Sequence, residues 1–459
     1  MADRPSPSRR KELLAVNFGQ ALEYFDFTIF AIFAIYFSSQ FFHGDSDVSN
    51  LLSTLAVFGL GFVARPIGGI VFGRLADRRG RTLVLVLTIS ISSLCCLLTA
   101  VAPTYGMIGA GASVWIVVVR IALGMAQGGE QGSSVTYVGE AVPAARRGFL
   151  GSTNTAFVVV GLTLATLLGA LLSTLLTKAE MTAWGWRIPF IIGAVLGVFV
   201  LYLRRSLAEP ETFTRTTTGD VAESATLPEA ASSVAPVAAA ARGEISRRGT
   251  FLLVLRAIVV TGSTLVFGYQ WSVMAPTYAI TFHKVNPTAA MWVGVVATVL
   301  YGGAILLSGR LSDKIGRRGN LIIYGVLVAA LSFPLSGLLS SSAWTLLIAM
   351  CLANVVLAFG TGMQVAWLSE QFATRTRGLA ISGTLAFSSA IFGGTAAYLN
   401  TWLTARGTPQ IFTWYVIATA VATIILIAVS RETKGISLAS VGRTNRATPA
   451  GSGPVAEPV

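Results

Sequence analysis

Two acidic residues, Glu23 and Asp26, lie three positions apart inside the first long apolar stretch of the chain. Residues three apart share one face of a helix. A charge at membrane depth costs roughly 3 kcal/mol or more unless it faces a cavity or a partner, so an acid there is a functional candidate. Because a carboxyl group can take up and release a proton, we predict proton coupling for both. The alternative is a structural pair with a nearby arginine or hydroxyl group.

A second polar set lies in a later apolar stretch, where Arg120 and Gln127 share a helix face and Glu130 lies about a quarter-turn away. Because arginine keeps its charge, Arg120 needs a carboxylate partner, which is Glu130, Glu23 or the substrate. We predict proton coupling for Arg120 and Glu130, and substrate binding for Arg120 and Gln127. A buried ion pair with a structural role is the alternative.

Two further arginines are candidates for binding an organic anion, since a guanidinium pairs with a carboxylate through two parallel hydrogen bonds. Arg65 directly precedes Pro66 within an apolar stretch, and Arg187 opens another one. We predict substrate binding for both arginines. For Arg187, which follows Trp186, an anchoring role at the membrane interface is the alternative.

The apolar stretches of the second half of the chain carry mainly neutral polar residues. This predicts that anion binding and proton coupling belong to the first half, while the second half supplies hydrogen bonds and aromatic walls. We predict substrate contacts for Tyr269 and Gln364 in the second half and for Tyr24 in the first.

The elements that position these residues must be membrane helices. Of the 459 residues, 54% are hydrophobic and only 12% are charged, and the mean hydropathy is +0.71. Soluble domains carry about 25% charged residues, and a membrane helix needs roughly 20 apolar ones. The apolar stretches predict an all-α polytopic membrane protein with twelve transmembrane helices, whose main partner is the lipid bilayer. Three of these stretches are 111–139, 251–282 and 343–368.

The net charge of +13 does not indicate a nucleic-acid-binding protein, because the basic residues cluster in every second short loop. There they set orientation, which predicts that both termini are cytoplasmic. The three cysteines and two histidines are too few and too dispersed for a disulfide framework, a metal site or a histidine-based catalytic cluster. We therefore expect no enzyme activity, no catalytic residues, no metal and no cofactor.

Composition divides the chain into five segments. A polar tail (1–12) precedes the first helical bundle (13–205), and a Thr-, Ala- and Ser-rich linker (206–249) separates it from the second bundle (250–431). A Gly- and Pro-rich tail (432–459) follows. The linker and both tails are predicted to be cytoplasmic, the linker being mostly disordered. The excess of arginine over lysine and the abundance of alanine suit a bacterial protein, so the predicted location is the inner membrane.

One turn occurs twice, which indicates that the bundles arose by duplication. Its shared positions are Gly73, Asp77, Gly80 and Arg81 in the first copy and Gly309, Asp313, Gly316 and Arg317 in the second. A second match pairs Glu140 and Arg147 with Glu370 and Arg377. Asp77 can face the positive N-terminal end of a helix from its own half in one conformation only. The alternative is that the basic residues of the turn serve only to fix orientation.

Four further motifs, with the two turns, carry a family resemblance: Glu23-Tyr24-Phe25-Asp26-Phe27, Arg65-Pro66-Ile67-Gly68-Gly69, Gln127-Gly128-Gly129-Glu130 and the stretch 184–190. Over nearly its whole length the chain resembles the major facilitator superfamily, and within it the metabolite:proton symporter family. The resemblance implies two pseudo-symmetric six-helix halves working by alternating access, and a monomer. It also implies that the eight turn residues form a conformational latch and that Arg120 takes part in proton coupling.

The residues and the resemblance together predict secondary active uptake of a small organic acid together with protons. The resemblance implies that this acid is α-ketoglutarate or another di- or tricarboxylate. The alternative is a proton-coupled carrier of an osmolyte (betaine or proline) or of a shikimate-type substrate. Drug efflux and a membrane-embedded enzyme rank lower, because the motifs are charged and no catalytic cluster accompanies them.

Overall fold

The computed structural model describes residues 7–79, 81–128, 130–205, 247–374, 376–438 and 441, and every regular element in them is helical. The predicted linker lies outside the described residues as far as residue 246, and most of the chain beyond 438 lies outside them too. Eleven described helices are long and apolar enough to cross a membrane, and Val86–Ala100 is a shorter apolar helix. Together they account for the twelve predicted spans.

The described residues of the first half form nine α-helices, three of which are short or follow a break in a span. They are α1 (Pro7–Phe41), α2 (Asp47–Arg79), α3 (Arg81–Ala100), α4 (Tyr105–Ile108), α5 (Gly111–Gly128), α6 (Gln131–Ala141), α7 (Arg147–Leu175), α8 (Lys178–Ala183) and α9 (Ile188–Arg205).

The described residues of the second half also form nine α-helices. They are α10 (Arg247–Gly268), α11 (Ala275–His283), α12 (Pro287–Ile315), α13 (Arg317–Gly337), α14 (Ala343–Thr361), α15 (Gln364–Gln371), α16 (Arg377–Ser388), α17 (Gly394–Ala405) and α18 (Pro409–Ala428). Single π-helical turns join α10 to α11 (Tyr269–Val273) and α16 to α17 (Ser389–Gly393).

Two spans that the sequence presents as continuous are interrupted at equivalent places. The span 111–139 breaks between α5 and α6, and the span 343–368 breaks between α14 and α15. Gly128 ends α5 and Gly362 lies within the second break; glycine costs about 1 kcal/mol relative to alanine inside a helix. Glutamine residues open the helices that follow, Gln131 in α6 and Gln364 in α15.

The close approach of α2 and α5 positions the polar residues of the first half. A side chain on Gly124 would collide with the carbonyl oxygen of Gly61, and one on Gly128 with that of Arg65. Small residues allow helix backbones to approach this closely in a membrane. The backbone of Arg65 therefore lies directly against α5, within reach of Gln127.

The two halves meet along two long helix contacts. Helix α7 packs along α12, and α2 packs against α16 and α17. A Cβ atom on Gly309 of α12 would lie 2.7 Å from the carbonyl oxygen of Gly148 in α7. The turn between α12 and α13 depends on Gly316, because its φ of +96° would be strained in any other residue. These contacts bring the second copy of the repeated turn against the first half.

Candidate functional site

The first buried ion pair of the site joins two residues predicted from the sequence. Arg65 Nη2 of α2 lies 3.2 Å from Glu23 Oε1 of α1, and both side chains are almost fully buried. Gln20, one turn earlier on α1, donates to Glu23 Oε2 at 3.4 Å. An isolated charge at this depth would be costly, so each group offsets the cost of burying the other.

Two glutamines connect Arg65 to neighbouring helices. Arg65 donates to Gln127 Oε1 of α5 at 3.3 Å and to Gln131 Oε1 of α6 at 3.2 Å. The Gln131 amide in turn donates to the Tyr24 hydroxyl at 3.0 Å. Three predicted substrate contacts, Arg65, Gln127 and Tyr24, are thus linked in one network. Gln131 was missed from the sequence.

Aromatic rings line this network and extend it to the second half. The Arg65 guanidinium lies over the rings of Phe27 (4.4 Å) and Phe62 (4.7 Å). Tyr269, at the start of the π-helical turn, packs edge-on against Phe62 with ring centroids 5.5 Å apart. The structure therefore places Tyr269, a predicted contact of the second half, beside the rings that cover Arg65.

The second buried ion pair lies one turn further along α1. Arg120 Nη1 is 3.5 Å from Asp26 Oδ2, and the Cys96 thiol of α3 donates to Asp26 Oδ1 at 3.0 Å. The Arg120 guanidinium lies over Phe30 (3.8 Å) and, further away, Phe190 of α9 (5.8 Å). These partners all belong to the first half. Arg120 is thus paired with Asp26, a partner that the sequence left unspecified.

Several polar atoms of these two pairs make no hydrogen bond to any residue that the structure describes. They are Glu23 Oε1, Asp26 Oδ2, Gln127 Nε2, Arg65 Nε and the three guanidinium nitrogens of Arg120. Unsatisfied buried polar atoms are rare in proteins and call for an explanation. Both arginines therefore carry N–H groups whose hydrogen-bonding capacity the described residues do not fill.

The remaining predicted site residues occupy different positions. Glu130, 9% exposed, lies at the break just before α6. Gln364 opens α15, as Gln131 opens α6 in the first half. Arg187 is not brought together with Arg65 or Arg120; it donates to the carbonyl oxygens of Ala100 (2.5 Å) and Ala102 (3.0 Å) at the end of α3. Its contacts are those of a structural anchor.

The repeated turn of the second half contacts the first half directly. Asp313 accepts hydrogen bonds from the backbone N–H groups of Gly148 (2.8 Å) and Phe149 (2.9 Å), in the first turn of α7. A carboxylate there interacts favourably with the helix dipole. The sequence led us to expect a helix of the same half for Asp77, whereas the equivalent Asp313 uses a helix of the other half. Gly73, Asp77, Gly80 and Arg81 lie outside the residues whose contacts are described.

Two arginine–glutamate pairs next to this turn cross between the halves. Arg147 donates to Glu370 at 3.1 Å, and Arg377 donates to Glu140 at 2.7 Å. Arg317 donates to both oxygens of Glu370 (3.2 Å each) and to Asp313 (2.8 Å). We call these five residues and Asp313 the crossed network. It holds the halves together at the side of the repeated turns.

Residues after the last helix complete the crossed network, and sequence patterns gave no signal for them. Glu432 accepts from the backbone N–H groups of Arg317 (2.9 Å) and Arg318 (3.0 Å) at the start of α13. The Thr433 hydroxyl donates to Glu370 at 2.8 Å, and Arg147 donates to the Ile436 carbonyl at 3.1 Å. This segment therefore bridges both halves.

Comparisons with known proteins agree with this architecture. A family model described as "Sugar (and other) transporter" matches residues 13–444. The chain is 32% identical over 439 residues to the α-ketoglutarate permease of Escherichia coli (strain K12), covering 94% of this chain and 97% of that one. It is also 32% identical over 444 residues to a putative proline/betaine transporter of Staphylococcus haemolyticus (strain JCSC1435), with 94% and 89% covered.

Among solved structures, the major facilitator superfamily proton:xylose symporter XylE bound to 6-bromo-6-deoxy-D-glucose superposes with a TM-score of 0.76. The two chains are 19% identical, and 95% of this chain and 99% of that one are covered, which shows a shared fold. The resemblance drawn from the repeated turns and the twelve-helix architecture are confirmed. The chain belongs to the sugar (and other) transporter family of the major facilitator superfamily and is a multi-pass membrane protein.

Proposed function

We propose that this transporter carries a small organic acid together with protons. The observation that supports it is the Arg65–Glu23 pair, buried in a membrane-spanning bundle with the Arg65 Nε–H left without an acceptor among the described residues. A substrate carboxylate offers Arg65 the same charge and geometry that Glu23 offers. Substrate and Glu23 therefore compete for one guanidinium.

This competition couples the anion to a proton. When a substrate carboxylate binds Arg65, Glu23 becomes a buried charge without its partner, which costs several kcal/mol. Binding one proton to a Glu23 oxygen removes that charge. On the opposite side of the membrane the proton leaves, Glu23 pairs with Arg65 again, and the anion is released. One proton thus accompanies each carboxylate that replaces Glu23.

We assign the Asp26–Arg120 pair to proton coupling, and Arg120 is in addition a proposed substrate contact. Its described contacts, through Cys96, Phe30 and Phe190, come from the first half. Glu130 at the α5–α6 break is the third acid proposed for proton coupling. The substrate contacts proposed are Arg65, Arg120, Gln127, Tyr24, Gln131 and Tyr269, with Gln364 facing from the second half and Arg187 assigned to anchoring.

The crossed network and the repeated turns would then act as the conformational latch. The contacts of the crossed network join α7 to α12 and α15. These contacts must break when the two halves rock to open the site to the opposite side of the membrane. We further propose that the network and both termini face the cytoplasm of a bacterium, because loops rich in arginine and lysine stay on the cytoplasmic side of a membrane. The five-segment division predicted from composition and the monomeric state belong to the same proposal.

The decisive experiment is uptake of labelled α-ketoglutarate into proteoliposomes that contain the purified protein, with and without an inward proton gradient. Accumulation that collapses when a protonophore is added supports organic-acid symport. Uptake that only equilibrates α-ketoglutarate across the membrane, at the same rate with and without the proton gradient, would overturn proton coupling. It would still show that the protein is a carrier.

A second candidate is a zwitterionic osmolyte such as betaine. The rings of Phe27, Phe62 and Tyr269 lie around the Glu23–Arg65 pair, and aromatic faces bind quaternary ammonium groups. The putative proline/betaine relative points the same way. Accumulation of betaine without any uptake of α-ketoglutarate would favour this candidate over the organic acid.

A further inference from the structure

A cavity apart from the Arg65 and Arg120 pairs lies inside the second half alone. It encloses about 290 Å³ between the π-helical turn with α11, the end of α13, the end of α17 and the start of α18. It opens near the helix ends opposite the crossed network. Ligand pockets in proteins begin at about 300 Å³, so this volume suits a small molecule.

Two buried polar atoms at the cavity have no hydrogen-bond partner among the described residues. Trp271, whose side chain lines the cavity, is 1% exposed, and its indole Nε1–H is unpaired. Gln270, also in the lining, leaves its Oε1 atom buried and unpaired. Two residues of the lining therefore each carry one polar atom, a donor and an acceptor, that no described residue satisfies.

The π-helical turn explains why these two residues are separated from the central site. Tyr269 packs against Phe58 and Phe62 at the contact between the halves, while the next two residues line the cavity inside the second half. Such turns insert one extra residue into a helix and are frequent at functional sites. Here the turn lies between the central site and the cavity.

The lining also defines the chemistry of a ligand. Among the described lining residues none is Asp, Glu, Lys or Arg; the polar ones are amides, hydroxyls, an indole and His283. A charged ligand would be buried there without a fixed counter-charge, which is costly. Aromatic side chains of Trp271, Tyr278, Phe333 and Phe412 supply apolar surface beside the polar groups.

We propose that this cavity binds an uncharged, polyhydroxylated small molecule of about the size of a sugar ring, held by the Trp271 indole N–H and the Gln270 carbonyl oxygen. The site is separate from the proposed transport site, and its occupancy does not depend on whether the protein carries organic acids. Binding is therefore measured directly, without a transport assay.

The test uses the full-length protein in nanodiscs and myo-inositol as the probe, with binding followed by saturation-transfer NMR. Trp271→Phe keeps the aromatic ring and removes the N–H, so binding should weaken about three- to tenfold, the value of one hydrogen bond. Gly337→Leu adds a side chain at a lining position where a Cβ atom meets nothing within 4 Å, and it should abolish binding while leaving the fold intact.

Two matched controls accompany these variants. Gly303→Leu places the same side chain at an open position of α12, and Trp344→Phe changes a largely exposed tryptophan; both should bind myo-inositol like the wild type. Excess α-ketoglutarate should not displace the probe. Three outcomes would each overturn the proposal. The wild type could give no saturation-transfer signal, which would show a cavity that holds only water. The wild type and Gly337→Leu could give equal signals, or α-ketoglutarate could displace the probe.

Discussion

Arg147 of the first half donates to Glu370 of the second half at 3.1 Å. The equivalent pair is formed with the roles of the halves exchanged, because Arg377 of the second half donates to Glu140 of the first at 2.7 Å. Each half therefore supplies one cation and one anion to its partner. The two pairs differ in burial, since the Glu370 side chain is 0% exposed and the Glu140 side chain is 43% exposed.

This difference gives the first prediction. Glu370→Gln leaves Arg147 and Arg317 without their shared buried carboxylate, and we expect the free energy of unfolding to fall by about 3 kcal/mol. Glu140→Gln is the matched control: it removes a half-exposed carboxylate, and Arg377 keeps its hydrogen bonds to the Ser369 and Phe372 carbonyl oxygens, so it should cost under about 1 kcal/mol. Thermal unfolding in detergent measures both. Equal losses would contradict the proposed importance of the Glu370 contacts.

The second prediction concerns proton coupling through Glu23. Glu23→Gln removes the titrating carboxyl group, so an inward proton gradient should no longer drive accumulation of α-ketoglutarate, while exchange of internal for external substrate continues. Asp45→Asn, which changes an exposed acid in a loop, is the control and should behave like the wild type. If Glu23→Gln still accumulates substrate against its gradient, Glu23 is not the coupling acid.

The third prediction separates two arginines that the sequence could not tell apart. Arg65→Lys keeps the charge but loses the fork that meets Glu23, Gln127 and Gln131, so KM for the anion should rise about tenfold. Arg187→Lys should leave KM unchanged, because Arg187 binds the final carbonyls of α3. KM values from initial uptake rates decide this. An equal rise in KM for both variants would show that Arg187 also binds the substrate.

The fourth prediction concerns the close approach of α2 and α5. Gly124→Ala forces a methyl group against the Gly61 carbonyl oxygen, and such overpacking costs about 1–3 kcal/mol. The displaced helices should also weaken anion binding, because they align Arg65 with Gln127. Gly303→Ala, where a Cβ atom meets nothing within 4 Å, should unfold like the wild type. Unchanged unfolding of Gly124→Ala would refute this account of the packing.

The fifth prediction concerns pH and Glu432, outside the membrane-spanning helices. Partial burial alone raises the pKa of this carboxyl group, but hydrogen bonds from four backbone N–H groups outweigh it and lower the pKa below its usual range. A lowered pKa means that Glu432 stabilises the fold fully above its ordinary pKa of about 4.3, and that this stabilisation is lost as the pH falls through the folded value.

The matching measurement compares unfolding temperatures of the wild type and Glu432→Gln between pH 7 and pH 3. We expect a gap near neutral pH that narrows on acidification. A gap that stays constant over this range would show that the charge of Glu432 contributes nothing.

The fold followed from the sequence because its determinants are repetitive and local. Apolar length predicted the spans, and the repeated turn predicted the duplication. The breaks before Gln131 and Gln364 were harder to foresee, because apolar residues continue on both sides of them. Their signal was a run that contains glycine shortly before a glutamine, Gly128 before Gln131 and Gly362 before Gln364.

The partners of the site residues could be predicted only in part. The one-face spacing of Glu23 and Asp26 was informative, and both acids meet an arginine. Which arginine serves which acid depends on how far α2 and α5 approach α1, a property of packing that spacing along one helix does not reveal. The sequence also could not predict that the Arg147 and Arg377 pairs cross between the halves. The repeat identifies equivalent positions in the two halves, but it does not tell which residues are in contact.

The crossing of these pairs has a consequence for the order of events during synthesis. Arg147 and Glu370 are separated by 223 residues, which a ribosome takes about 10–45 s to translate. Throughout that interval the newly inserted first half displays Arg147 and Glu140 without their partners, at a membrane surface where water and lipid headgroups can solvate them. The first half therefore stays in the membrane with these two charges unpaired until the second half is inserted. Docking of the two halves is thus a late step of biogenesis. A chain truncated before Glu370 cannot complete it.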